Sequence, residues 1–268
     1  MALFGFIGAG NMGYPLIKAA SAAFGKEEVV FTDTSSQRCQ FVAEETGTAY
    51  LVNGLEVARQ CRYLVLAVKP QFFPQVLSQI REAVSGEQII ISIAAGITVD
   101  AIKEALGHHA RVVRAMPNTP AMVKMGMTGI SYSKEELKEE ELLILDRFFC
   151  SFGRYEVFEE DLMNAVVCAN GSSPAYVYLF IEALADSVVA HGIPRDKAYV
   201  LAAQTVLGAA SMVLETGEHP GRLKDQVCSP GGTTIAAVKA LEEHGLRNAI
   251  MKATDACYEK AVALSVKK

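Results

Sequence analysis

The sequence predicts an α/β protein in two parts, a doubly wound, mostly parallel sheet followed by an all-helical C-terminal domain. Three observations carry this. Over residues 1–161, short β-branched runs alternate with stretches of helical periodicity, the pattern of βαβ units. The first run passes directly into Gly8-Ala9-Gly10-Asn11-Met12-Gly13, a glycine loop that opens a helix. From Leu162 onward the strand signal disappears and long uncharged runs take over. The expected domains are therefore 1–161 and 162–268.

In chain order, strands are expected at 3–7, 29–32, 64–68, 89–93 and 112–115, where apolar and β-branched residues run together. Helices are expected between them near 13–24, 37–46, 72–84 and 98–106. Residues 129–133 and 155–158 add edge strands on either side of a charged helix over 134–149. In the second domain Pro174 and Pro194 each stand where a helix can begin, since proline suits a first helical turn. Residues 198–214 carry no charge, so their helix must be buried, and in a domain this small the expected cover is another subunit. Farther on, Ile235, Val238 and Leu241 give one more helix a stripe to bury.

The bulk numbers exclude several classes. The chain has 268 residues, a formal net charge of −5, 51% hydrophobic residues and a mean hydropathy of +0.22. That balance supports a sizeable core and argues against disorder. With no basic stripe, nucleic acid is not an expected partner. The cysteines at 39, 61, 150, 168, 228 and 257 form no CxxC pair; they read as reduced thiols of a cytoplasmic protein, and no metal site is expected. Residues 162–181 are uncharged and long enough to span a membrane, but Asn170, Gly171, Ser172, Ser173 and Pro174 interrupt them, so no membrane segment is expected. The apolar start lacks the basic region of a signal peptide.

Two stretches carry chemistry. In the first, Gly8 permits a tight turn, Gly10 lets a pyrophosphate approach and Gly13 lets strand and helix pack, the Rossmann-type arrangement for a dinucleotide. Ile7, Ala9, Asn11 and Met12 complete that loop. Asp33 ends the second strand about 20 residues on, where a carboxylate bonds a ribose 2′-hydroxyl and repels a 2′-phosphate. Beside it Thr34, Ser35, Ser36 and Arg38 suit a phosphate, so NADH and NADPH both stay open. Ala67, Val68, Lys69 and Pro70, and then Ala95 and Gly96, follow the next two strands at the carboxyl edge where open sheets bind ligands. Asn118 lies between Pro117 and Pro120 in a stiff loop after the fifth strand. In the second stretch, Ser229, Thr233 and Thr234 offer hydroxyls, Gly231 and Gly232 let the backbone approach a ligand, and the start of the following helix favours an anion. That loop holds no acid. Reducing a ketone requires a proton donor, whereas a cyclic imine can arrive already protonated.

The stretch LKDQVCSPGGTTIAAV resembles the C-terminal signature of the pyrroline-5-carboxylate reductase family, and GFIGAGNMG at 5–13, AVKP at 67–70, SIAAGIT at 92–98, RAMPNTP at 114–120 and PAYVYLFIEALAD at 174–186 fit the same family. The resemblance runs from about residue 3 to 264. It implies reduction of 1-pyrroline-5-carboxylate to L-proline with NADPH or NADH, the last step of proline synthesis, by a homo-oligomer that is a dimer or a larger assembly of dimers. It further implies that residues 67–70 and 95–96 pass the cofactor's phosphates and nicotinamide ribose, and that Asn118 faces the nicotinamide. Thr234 then bonds the ring nitrogen as the catalytic residue, while Ser229 and the amides of Gly231, Gly232 and Thr233 hold the carboxylate. Glu160 falls at a second substrate position of the family. His219 and Lys224 read as structural, Lys224 paired with a nearby acid.

Two departures stand out. The family usually reads Ser-Gly-Ser where this chain has Asn170-Gly171-Ser172, and Asn53 lies one position before an asparagine that several members use near the adenosine ribose, so that role is not carried over. The competing expectations are a β-hydroxyacid dehydrogenase, which shares the GFIG-x-G-x-MG opening but needs a lysine motif without a match here, and a nucleotide-sensing regulator without chemistry.

Overall fold

The computed structural model describes residues 1–266. Its sheet is built from β1 (Ala2–Ile7), β2 (Val29–Thr32), β3 (Ala49–Tyr50), β4 (Cys61–Leu66), β5 (Ile89–Ser92), β6 (Arg111–Met116), β7 (Gly126–Ser131) and β8 (Gly153–Val157). The spatial order is β3-β2-β1-β4-β5-β6-β7-β8, with every neighbouring pair parallel except β6 and β7. Strand order reverses at β1, which has β2 on one side and β4 on the other. The carboxyl end of β1 therefore opens at the switch point of the sheet, where doubly wound folds take ligands.

Helices α1 (Gly13–Phe24), α2 (Ser36–Thr46), α3 (Gly54–Gln60), α4 (Phe73–Ile80), α5 (Val99–Leu106) and α6 (Glu139–Cys150) cover the two faces. Because side chains alternate along a strand, each strand feeds two cores. Phe4, Phe6, Tyr63 and Phe148 meet on one face, with Phe4 and Phe148 rings 4.7 Å apart. Leu64, Leu66, Ile90 and Val112 pack with Phe73, Leu77 and Ile102 on the other.

A buried ion cluster ties α6 to the amino ends of β4 and β6. Glu141 is 2% exposed and accepts from Arg62 Nη2 at 2.7 Å, Arg111 Nη1 at 2.8 Å and the Lys138 amide at 2.9 Å. Burial by itself raises this carboxyl, but the Lys138 amide and the two guanidinium groups outweigh it and hold the group below its ordinary range.

Several expected elements move. The fourth strand is 61–66 rather than 64–68, and α3 and β3 precede it unforeseen. Both are too short for periodicity to register; α3 is announced only by its cap, Asn53 Oδ1 accepting from the Glu56 amide at 3.0 Å. The strand expected at 129–133 is 126–131, and it lies inside the sheet between β6 and β8 rather than at an edge. The charged helix starts at Glu139, after a 3-10 turn at Lys134–Glu136, because Glu141 closes a capping contact back to the Lys138 amide.

The chain divides into two compact units that differ from a break at 161/162. One comprises Met1–Ser172 and the chain from Cys257 onward; the other is Ser173–Ala256. The first unit keeps α7 (Met163–Val166) because Met163 and Val166 bury against Met116. A π turn at Val167–Gly171 follows.

The second unit is helical, with α8 (Ser173–Ala190), α9 (Arg195–Thr216), α10 (Pro220–Val227), α11 (Thr233–Glu243) and the start of α12 (Leu246–Val266). Pro194 is the N-cap of α9 rather than its first helical residue. Ala185, Ala198 and Ala202 bury between α8 and α9 against Ile181, Leu184 and Val188. The rest of α9 stays open, with Val200 68% and Leu201 52% exposed. Nor does α11 bury any residue among the described ones, and in its stripe Ile235 and Leu241 are exposed and Val238 half-buried.

Candidate active site

The nucleotide half of the site is set by backbone that only glycine tolerates. Gly8 has φ +101°, and a Cβ there would stand 2.6 Å from the Ala67 carbonyl oxygen. A Cβ on Gly13 would lie 2.2 Å from the Gly8 oxygen, so this glycine lets α1 pack on β1. At Gly10 an added Cβ meets nothing within 4 Å, so the loop presents bare backbone where a pyrophosphate needs it. The residues present therefore fit a dinucleotide. Asn11 is exposed, and Met12 is the N-cap of α1 without a side-chain bond. Ile7 anchors the loop from below, its carbonyl accepting the Ala67 amide at 2.8 Å.

Asp33 is engaged more than a ribose ligand requires. Its Oδ2 accepts the Ala9 amide at 2.8 Å and its Oδ1 the Ser35 amide at 3.0 Å. Arg38 supports the same loop by donating from Nε to the Ala9 carbonyl at 2.6 Å, with its guanidinium 5.1 Å over the rings of Tyr14 and Phe41. Thr34 and Ser35 are exposed beside it, and Ser35 also caps α2 through the Arg38 amide. Sequence reasoning marked Arg38 as a phosphate ligand and missed its hold on the loop.

Two further loops lie at the carboxyl edge. Ala67 and Val68 are half-buried, while Lys69 and Pro70 are exposed at the start of a 3-10 turn. Ala95 is exposed and Gly96 turns at φ +77°. Glu160 faces this second loop: its Oε1 accepts the Val99 amide at 2.7 Å and pairs with Arg114 Nη1 at 3.1 Å. Arg114 is 3% exposed in its side chain, so Glu160 balances a buried cation as well as holding the start of α5.

Asn118 is buried at the N-cap of the 3-10 segment Thr119–Val123 that follows β6, where Oδ1 accepts the Met127 amide at 2.9 Å and Nδ2 donates to the Asn170 carbonyl at 3.1 Å. Asn170, seen in the sequence only as a departure from the family, is drawn into the same network.

The second candidate stretch lies on the second unit. His219 caps α10, Nδ1 accepting from the Gly221 amide, and Lys224 pairs with Asp225 at 2.8 Å, structural roles for both. After α10 the chain turns through Ser229, Pro230 and Gly231, the last at φ +69°. The Gly232 amide closes this turn on the Ser229 carbonyl at 3.0 Å, so it is not free for a ligand as expected. A Cβ at Gly232 would stand 2.4 Å from the Ser229 hydroxyl, so a side chain there would turn that hydroxyl away. It is also the N-cap of α11 and offers no side-chain acceptor, which leaves the first-turn amides of Thr233 and Thr234 without an intrahelical partner. Ser229 and Thr233 are exposed and Thr234 is half-buried. Three hydroxyls and a helix N-terminus so fall within six residues, with no titratable group between Ser229 and Thr234.

A family model for pyrroline-5-carboxylate reductase dimerisation matches residues 160–264, and one for NADP oxidoreductase, coenzyme F420-dependent, matches 3–96. The pyrroline-5-carboxylate reductase of Escherichia coli (strain K12) is 45% identical over 263 residues, 97% of each chain. A solved pyrroline-5-carboxylate reductase from Coxiella burnetii superposes with a TM-score of 0.90 at 32% identity, covering 98% of each chain. The pyrroline carboxylate reductase of Plasmodium falciparum, solved with NADP bound, gives 0.88 at 31%, again over 98% of each. With such identity over nearly its whole length, this chain belongs to the pyrroline-5-carboxylate reductase family.

Proposed function

We infer that the chain reduces 1-pyrroline-5-carboxylate to L-proline, the last step of proline biosynthesis, with NADPH or NADH as cofactor. Family membership carries this reading and leaves the β-hydroxyacid dehydrogenase and the regulator without support. When bound, the cofactor supplies the hydride. The chain's own residues bind and orient. Gly8, Gly10 and Gly13 hold the pyrophosphate against the first turn of α1, and Asp33, Thr34 and Ser35 border the adenosine ribose. Residues 67–70 and 95–96 border the rest of the dinucleotide, and Asn118 its nicotinamide.

On the second unit the Ser229 hydroxyl and the Thr233 amide hold the substrate carboxylate, helped by the partial positive charge of the α11 N-terminus. The Thr234 hydroxyl bonds the ring nitrogen and fixes the orientation of the imine carbon. Because no acid stands in this loop, the proton on the nitrogen must arrive with the substrate. Glu160, which balances Arg114, is the family's second substrate position, one that a neighbouring subunit can supply.

Oligomerisation follows from the dimerisation region at 160–264. Two segments, Glu160–Ala190 and Arg195–Thr216, are long and apolar enough to cross a membrane by length and composition. Both fall within that region, and we assign their open faces to other subunits of a dimer or a larger assembly of dimers rather than to lipid. Six free thiols suit a reducing cytoplasm.

One experiment tests the reading: cofactor oxidation followed in the presence of pyrroline-5-carboxylate, with NADH and NADPH in parallel. Proline formation with at least one cofactor is expected. No turnover with either would refute it.

A further inference from the structure

Asn170 stands where the family usually carries a serine, and both it and Asn118 are 8% exposed. The antiparallel register of β6 and β7 pairs Arg114 with Ser131, Ala115 with Ile130 and Met116 with Gly129. The same register would next set Pro117 against Thr128 and Asn118 against Met127. Pro117 has no N–H to donate, and the ladder ends at Met116.

Two side-chain amides take over beyond that point. Asn118 Oδ1 accepts the Met127 amide at 2.9 Å. Asn170 Nδ2 donates to the Met127 carbonyl at 2.9 Å and to the Met116 carbonyl at 2.8 Å. Asn118 Nδ2 donates in turn to the Asn170 carbonyl at 3.1 Å. These bonds close a ring in which each asparagine fixes the other. A serine hydroxyl at 170 has one donor and a shorter reach, so it cannot span both carbonyls. The π turn at Val167–Gly171, closed by the Ser172 amide on the Val167 carbonyl at 2.9 Å, holds Asn170 at this point.

We propose that Asn170 is a positioning residue that sets Asn118 and its proline-flanked loop for the nicotinamide, an inference that rests on the role given to Asn118 above. Its amide donors are spent on two backbone carbonyls, so it acts through Asn118.

Asn170→Asp is nearly isosteric but turns an acceptor toward the two carbonyls, and Asn170→Ser restores the family's residue. In both variants hydrogen exchange at the Met127 amide should rise about tenfold or more. The kcat should fall about tenfold in Asn170→Asp and less in Asn170→Ser, with KM for pyrroline-5-carboxylate little changed. Asn118→Ala should lower kcat by itself, and adding Asn170→Asp to it should bring no further loss. Unchanged exchange at Met127, multiplicative losses in the double variant, or a lowered Tm with wild-type kcat in both Asn170 variants would each overturn the positioning role. Should Asn170→Asp not fold, Asn170→Ser carries the same readouts. A wild-type kcat in Asn118→Ala removes the Asn118 role and this proposal together, whereas a loss there beside unaffected Asn170 variants overturns the proposal alone.

Discussion

Asp33 and Ala9 are joined across the ends of two strands, the Asp33 carboxylate accepting the Ala9 amide at 2.8 Å. The residue expected to choose the cofactor thus also fixes the glycine loop that receives it. Substitutions at Asp33 must therefore be read on two scales, preference and affinity.

Asp33→Ser removes the charge that repels a 2′-phosphate and the acceptor that holds Ala9. The ratio of kcat/KM values should move toward NADPH by about 1 to 2 kcal/mol. Affinity for both cofactors should fall as the loop loosens, and Asp33→Asn, which keeps one acceptor, should preserve more of it. Steady-state kinetics with both cofactors decide the matter. Weaker binding of both at an unchanged ratio would assign Asp33 to the loop alone.

Thr234 offers a hydroxyl in the first turn of α11. Thr234→Ala should lower kcat/KM for the imine by about one to two orders of magnitude, the order of one hydrogen bond to a charged group. The Kd for NAD(P)H should stay within about twofold. Activity should decline as pH rises past the imine's own pKa in wild type and variant alike, since the loop holds no acid to restore the proton. Full activity in Thr234→Ala would leave the carboxylate cradle as the whole of substrate recognition.

The open faces of α8 and α9 predict the solution state. Light scattering at about micromolar concentration should report a dimer or a larger even-numbered assembly, as expected for apolar faces too large to leave in water. Leu201→Glu places a charge on that face and should shift the mass toward the monomer with loss of activity. A stable wild-type monomer at the same concentration would contradict the assignment.

The Glu141 cluster predicts how stability depends on pH. The folded carboxyl is held below its ordinary value of 4.5, so its contribution is fully present above that value and is lost as pH falls below it through the folded one. Glu141→Gln leaves Arg111 and Arg62 short of a counter-charge in a buried site and should destabilise the fold by about 2 to 4 kcal/mol. Denaturant unfolding should show the gap between wild type and variant narrowing as pH drops below the ordinary carboxylate range. A gap that persists in strong acid would assign the loss to packing instead.

The sequence alone determined whatever depends on neighbours along the chain. The glycine spacing at 8, 10 and 13 predicted a turn, a bare backbone and a tight helix–strand contact, and the structure has all three: the φ of Gly8 and the Gly13–Gly8 approach are local, while Ala67 adds a second, distant restriction at Gly8. The turn before α11 was legible for the same reason. What only the tertiary structure decided are pairings between distant residues. No periodicity states that Asn170 meets Met116 and Met127 or that Glu160 balances Arg114. Nor does it state that β7 runs antiparallel to β6, one strand in from the edge of the sheet. An apolar stripe specifies a face that must leave water without specifying the partner, and the stripe on α11 shows the consequence. Hydrophobic burial is non-directional, while hydrogen bonds and strand registers are fixed only when distant segments meet.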